Sequence, residues 1–137
     1  MTPSGINNSF PMKIHFFSVF LKLFSIFAKK RVIMLLVFKK DYLSHMYETG
    51  ESDKSPWFQP EIVKKYIKVV NILKQADSIE KLFFFNSLNY EKLKGDKAGI
   101  ESVRIDNKYR LEFQTEKIEK EVVVTICNIL EITNHYK

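Results

Sequence analysis

The sequence predicts an α+β domain in which two or three helices pack on one face of a small, mostly antiparallel sheet. In three stretches between residues 39 and 85, apolar residues recur with the 3.6-residue period of a helix. From residue 88 onward they alternate with polar residues, as in strands. A nearly continuous apolar run, VVVTICNIL at 122–130, is typical of a central strand that is covered on both faces.

Composition narrows the class of protein. The 137 residues suffice for one domain with a modest core, and 45% hydrophobic with 28% charged residues is ordinary for a globular protein. The single cysteine, Cys127, allows no internal disulfide and no Cys-rich metal site, which fits a reducing cytoplasm. The three histidines share no metal-ligand spacing, and the sequence has no Walker loop and no zinc-protease or serine-hydrolase motif.

The positive charge is concentrated at the N-terminus. Residues 1–33 hold five of the 22 basic residues and no acidic residue, which leaves 17 basic against 16 acidic residues in the remainder. The remainder is therefore not a uniformly basic nucleic-acid binder, and any polyanion site there must be a local cluster.

The same 33 residues are apolar in a way that the rest of the chain is not. The run Ile14–Ala28 has 15 residues, fewer than the roughly 20 that span a membrane, and its flanks do not fit a signal peptide. Three interpretations stay open: an over-extended reading frame with Met34 as the true start, a helix packed on the domain or a membrane surface, and a membrane anchor. We predict a domain at 34–137 and a dispensable extension at 1–33, either a mis-annotated start or a non-core apolar segment.

The first elements of this domain are one strand followed by helices. The apolar run MLLVF at 34–38 predicts the strand. Helical spacing predicts a helix at 39–50 that ends at its glycine, an amphipathic helix at 61–76 and a short helix at 78–85. We expect the three consecutive phenylalanines of the short helix, Phe83–Phe85, in the core.

The second half of the domain consists of strands and turns. Alternation and the apolar run predict four strands, at 88–93, 100–106, 108–115 and 122–130. Gly95 and Gly99 mark the first turn, and Asp106, Asn107 and Lys108 the second. Within 108–115, the residues Tyr109, Leu111 and Phe113 share a face and should anchor in the core. Arg110 should then point outward, exposed.

One stretch of these strands carries a family resemblance. The segment LNYEKLKGDKAGIESVRIDNKYRLEF, residues 88–113, resembles the signature of HigB-type toxins in the RelE/ParE superfamily. Its parts are an L-K-G-D turn at 93–96, Gly99, an S-V-R-I strand at 102–105 and a Y-R-L-E-F motif at 109–113. The resemblance covers about residues 88–136 and, on element order, reaches back to Met34. It implies a compact fold of two N-terminal helices on a small, mostly antiparallel sheet.

The resemblance also implies an activity and partners. It implies a cytoplasmic, metal-independent endoribonuclease without cofactors, which cleaves mRNA on the ribosome with the ribose 2′-OH as nucleophile and so contacts ribosomal RNA. The implied protein partner is a HigA-like helix-turn-helix antitoxin, and no membrane partner is expected. Two alternatives stay open, a ParE-like toxin that poisons gyrase by binding and a degenerate, inactive module.

The resemblance assigns site residues at the positions of this sequence that match the family motifs. Lys94 of the L-K-G-D turn and Arg110 of the Y-R-L motif correspond to a phosphate clamp, in which a guanidinium forks onto two oxygens and an ammonium acts as a point charge. Arg104 is a second phosphate contact. Asn134 and Lys92 are further candidate substrate-binding residues.

The candidate groups for proton transfer depart from the family pattern. Many HigB-type toxins have a histidine three residues before the turn lysine, where this chain has Glu91. Many end in D-Y-H, where this chain has Asn134, His135 and Tyr136. We therefore predict Glu91, His135 and Tyr136 as catalytic candidates without assigning base and acid. A histidine suits either role near neutral pH, and a glutamate suits the base when a cation and burial tune it.

Overall fold

The computed structural model describes residues 32–53, 55–76 and 78–134. Within these residues the chain forms two α-helices and a five-stranded sheet, which confirms the predicted α+β class. The helices are α1 (Asp41–Thr49) and α2 (Pro60–Gln75). The strands are β1 (Val32–Phe38), β2 (Glu91–Lys92), β3 (Glu101–Arg104), β4 (Tyr109–Glu119) and β5 (Val123–Asn134). Short 3₁₀ segments at Ile79–Phe84, Asn86–Leu88 and Gly95–Lys97 connect α2 to β3 by way of β2.

The sheet is mostly antiparallel, with strand order β1-β5-β4-β3-β2. β1 runs parallel to β5, and the other neighbouring strands are antiparallel. The apolar run at 122–130 lies in β5, between β1 and β4, as its composition predicts. β2 is an edge strand of two residues, so β3 supplies its ladder of hydrogen bonds.

The two helices cover one face of the sheet because each has an apolar stripe. In α2 the buried residues Val63, Tyr66, Val70 and Leu73 recur at helical spacing. The Tyr66 hydroxyl donates a hydrogen bond to the Leu43 carbonyl at 2.7 Å and so joins α2 to α1. We call the face that carries these helices the helix side and the opposite face the open side.

β1 begins two residues before the predicted domain boundary. Val32 and Ile33 pair with Val123 and Val124, so the strand crosses the border between residues 33 and 34. Residues 1–31 lie outside the described part of the chain, and the boundary at residue 34 stays a prediction. Among the described residues, no helix combines the length and the apolar character needed to cross a membrane.

The prediction of a buried phenylalanine cluster is wrong. The helix is a 3₁₀ segment, Ile79–Phe84, in which Leu82 is fully buried, whereas Phe83 is 60% and Phe84 83% exposed. Phe85 follows the segment and is 44% exposed. With three residues per turn, consecutive side chains point about 120° apart, so three neighbours cannot share the core.

This correction predicts a contrast between two neighbouring positions. Leu82→Ala should lower the free energy of unfolding by about 2–5 kcal/mol, because it leaves a cavity in the core. Phe84→Ala should change it by less than about 0.5 kcal/mol, because the ring is exposed. Urea denaturation of both variants measures the difference. Equal destabilisation would indicate that Phe84 is buried, as the sequence predicts.

Candidate active site

Arg110 is a buried, hydrogen-bonded cation on the open side of the sheet. It lies on the face opposite Leu111, as alternation predicts, but it is only 8% exposed, so the prediction of an exposed guanidinium is wrong. Its Nε donates a hydrogen bond to Ser102 Oγ at 2.5 Å, and its Nη2 donates to the Asn89 carbonyl at 2.7 Å. These bonds fix the plane of the guanidinium before any ligand arrives.

Strand register explains why these groups meet. Arg110 pairs with Arg104 across β4 and β3, and Ser102 of β3 pairs with Glu91 of β2. Paired residues and residues two apart in a strand lie on the same face, so all four belong to the open side. Asn89 has a positive φ of 43°, and this left-handed turn just before β2 directs its carbonyl at Arg110.

A carboxylate and a second guanidinium flank Arg110. Glu91 Oε1 lies 3.5 Å from Arg110 Nη2, and the Glu91 side chain is half exposed. Burial lowers the pKa of Arg110, the neighbouring Glu91 opposes this shift, and Arg104 adds to it. An arginine stays protonated under such shifts, so the site is a desolvated cation beside an accessible carboxylate.

Arg104 extends this positive surface toward α2. Its Nε donates a hydrogen bond to the Asp106 carbonyl at 3.2 Å, and its Nη2 donates to the Asn107 side-chain oxygen. Both acceptors are neutral, so they orient the guanidinium without cancelling its charge. Arg104 also lines a cleft of about 370 Å³ that it shares with Lys65 of α2 and with Ser87.

The turn that carries Lys94 is fixed by another ion pair. Lys97 Nζ lies 2.7 Å from Oε2 of the buried Glu112 on β4. Gly95 and Gly99 have positive φ angles of 68° and 91°, which favour glycine. Lys94 is exposed at the start of this turn, so the backbone is anchored while the ammonium remains accessible to solvent.

Of the other predicted site residues, Lys92 and Asn134 lie in the described part of the chain and neither shares the face of Arg110. Lys92 pairs with Glu101 on the helix side of the sheet, so the structure separates it from Arg110. Asn134, the last described residue, pairs with Tyr109 and so also lies on the helix side, opposite Arg110. His135 and Tyr136 lie outside the described residues.

Sequence reasoning missed four residues that hold the site: Asn89, Ser102, Lys97 and Glu112. Alternation along β3 and β4 puts Ser102 and Glu112 on the Arg110 face, and this pattern could have revealed them. Nothing in the sequence signals that the Asn89 carbonyl reaches Arg110. Among the described residues, no cluster of three or more His, Cys, Asp or Glu side chains could hold a metal ion.

Comparison with known proteins gives one family match. The model of the HigB-like toxins, described as the RelE-like toxin of type II toxin–antitoxin system HigB, matches residues 36–127. No curated protein sequence matches the chain.

Two solved structures are similar to parts of the chain. A YoeB/ParE toxin from Agrobacterium tumefaciens is 20% identical, with a TM-score of 0.47 over 75% of this chain and 100% of that one. The conserved hypothetical protein HP0894 from Helicobacter pylori is 13% identical, with a TM-score of 0.39 over 77% of this chain and 97% of that one.

Proposed function

Because the chain belongs to the HigB-like toxins, the RelE-like toxins of type II toxin–antitoxin systems, we propose that it is an endoribonuclease that cleaves mRNA on the ribosome. The observation that carries this proposal is the pair of adjacent guanidiniums, Arg110 and Arg104, with the Glu91 carboxylate 3.5 Å from the first. RNA cleavage through the 2′-OH needs groups of this kind, a base for the nucleophile and fixed positive charge for the phosphate.

The proposed reaction assigns one role to each group. Glu91 accepts the proton of the ribose 2′-OH, whose oxygen attacks the adjacent phosphorus. Arg110 and Arg104 stabilise the charge that develops on the phosphorane oxygens, and fixed donors of this kind act most strongly in the transition state. The bond to the 5′-oxygen breaks, and His135 protonates that leaving oxygen. The products are a 2′,3′-cyclic phosphate and a 5′-hydroxyl.

The remaining predicted residues have supporting roles in this proposal. Lys94 adds a point charge near the phosphate from its exposed position on the turn. Thr133 pairs with Arg110, which brings the end of β5 beside the guanidinium and supports a role for the residues that follow it. Tyr136 would assist His135 near the leaving group. Asn134 pairs with Tyr109 and so faces the helix side, which gives it no role in the proposed reaction. Lys92 faces the helix side and has no role in the proposed reaction.

The proposed partners follow from the family. A toxin of a type II system has an antitoxin, and we infer one with a HigA-like helix-turn-helix domain encoded beside this gene. The substrate complex is mRNA on the translating ribosome in the cytoplasm, with ribosomal RNA in contact with the toxin. Exposed lysines of α2 such as Lys64 and Lys68 suit that contact, which is largely electrostatic and weakens with salt.

Mapping of mRNA ends after incubation with translating ribosomes tests the proposal. We expect new 5′-hydroxyl ends that depend on the protein and disappear when the antitoxin is added. Growth arrest with intact mRNA and gyrase-linked DNA breaks would instead indicate a ParE-like poison. Intact mRNA, intact DNA and normal growth would indicate an inactive module.

A further inference from the structure

A buried carboxylate lies on the helix side of the sheet, beneath the candidate active site. Glu101 is 7% exposed. In the described part of the chain its hydrogen-bond donors are the Tyr90 hydroxyl at 2.5 Å, the Thr115 hydroxyl at 2.6 Å and the Thr115 amide at 3.2 Å. All are neutral. Its cross-strand neighbour Lys92 is exposed, so the buried carboxylate is held by neutral donors, and an apolar residue would be the less costly choice at this position.

Tyr90, which donates a hydrogen bond to Glu101, lies in the chain between two residues that contact Arg110. Tyr90 follows Asn89, whose carbonyl accepts a hydrogen bond from Arg110 at 2.7 Å. It precedes Glu91, whose carboxylate lies 3.5 Å from the same guanidinium. Any shift of the Tyr90 backbone therefore moves both partners of Arg110.

Few other contacts hold this segment. β2 has two residues at the edge of the sheet, and short edge elements open at low free energy. The Tyr90 ring packs edge-on against the exposed Phe83, with ring centroids 5.0 Å apart, and lies 6.3 Å from the ring of the buried Phe113. The hydrogen bond from the Tyr90 hydroxyl to Glu101 links this segment to β3 on the helix side of the sheet. Burial and this bond both raise the pKa of Tyr90, so the hydroxyl keeps its proton and remains a donor.

We propose that the hydrogen bond between Tyr90 and Glu101 forms a tether on the helix side of the sheet, which positions Glu91 and the Asn89 carbonyl against Arg110. Both are positioning residues, since they lie on the helix side and touch no substrate. The proposal rests on the proposed function for its effect on rate, whereas its effect on the order of residues 89–93 is independent of that function. Catalytic groups need placement within about 0.5 Å, which a two-residue edge strand does not provide by itself.

Tyr90→Phe tests the tether because it removes the hydroxyl and keeps the ring. We expect mRNA cleavage on ribosomes to fall about ten- to a hundredfold in kcat, with little change in KM, since misplacement by about 1 Å has effects of that size. Amide hydrogen exchange should quicken across residues 89–93, including the Leu93 amide that bonds to the Ile100 carbonyl. Glu101→Gln, which keeps an acceptor for the tyrosine, should retain more activity than Glu101→Leu.

Tyr47→Phe is the matched control. The Tyr47 hydroxyl donates a hydrogen bond to Asn71 Oδ1 at 2.6 Å between α1 and α2, far from Arg110 along the chain. Its loss should change stability to a similar extent and leave the cleavage rate and the exchange at 89–93 unchanged. Equal losses of cleavage in both variants would overturn the tether, as would wild-type exchange at 89–93 in Tyr90→Phe. If the wild-type protein cleaves no mRNA, the proposed function fails, and the exchange experiment still decides on the tether.

Discussion

Replacing Arg110 with alanine should lower the rate of mRNA cleavage by about 10²–10³, the loss typical when one preorganised donor to a developing charge is removed. The guanidinium is oriented before substrate binds, because Ser102 Oγ and the Asn89 carbonyl each accept one of its hydrogen bonds. Arg110→Lys should recover little of this loss, since an ammonium cannot bond to both partners and also fork onto two phosphate oxygens. Single-turnover cleavage on programmed ribosomes measures both variants.

The same substitution should also destabilise the fold. Arg110 is buried, and its removal leaves the Ser102 hydroxyl and the Asn89 carbonyl without their donor, at about 1–3 kcal/mol for each unsatisfied group. Ser102→Ala is the matched control, because it removes one acceptor and keeps the charge at the site. It should lower the melting temperature with a much smaller loss of cleavage. Wild-type cleavage by Arg110→Ala would refute the clamp, and lost cleavage in an unfolded Arg110→Ala protein would make Arg110 a structural residue.

The fold could be predicted because its elements obey simple periods. The apolar run in β5, the amphipathic stripe of α2 and the glycine after α1 are local signals, and each marks an element that the structure contains. Gly50 has a φ of 77° and its amide bonds to the Met46 carbonyl, as expected for a helix end. The prediction for the phenylalanine run failed because consecutive side chains of a helical turn point in different directions, and Leu82 occupies the position that faces the core.

The site was harder to predict because its partners are distant in sequence. Alternation correctly predicted that Arg110 lies on the face opposite Leu111 and Phe113. In the described part of the chain that face carries no helix, but Arg110 is buried there all the same. Arg110 is covered by Asn89, 21 residues away, and by Ser102, eight residues away. These contacts depend on the register of β2, β3 and β4. Lys92 shows the sensitivity of such predictions, since one step along β2 moves a side chain to the other face.

Glu91→Gln should be the second severe variant, with a loss of about 10²–10⁴ in the rate of cleavage, because it removes the proposed general base. The fold should be destabilised only modestly. The Glu91 side chain is 51% exposed, but its partner Arg110 is buried, so the loss should exceed the about 0–1 kcal/mol of a pair between two exposed residues. Glu121→Gln is the matched control, an identical change at an exposed residue in the turn between β4 and β5, and it should cleave like the wild type.

Glu91→His makes the same prediction sharper, because the resemblance implies a histidine at this position in many HigB-type toxins. An imidazole can accept the 2′-OH proton, so this variant should regain part of the activity that Glu91→Gln loses. Its rate should fall as the pH drops below about 6.5, where the imidazole becomes protonated and can no longer act as a base. The pH–rate profiles of wild type, Glu91→Gln and Glu91→His measure this directly. Undiminished cleavage by Glu91→Gln would exclude Glu91 as the base and leave its carboxylate as a partner that only orients Arg110.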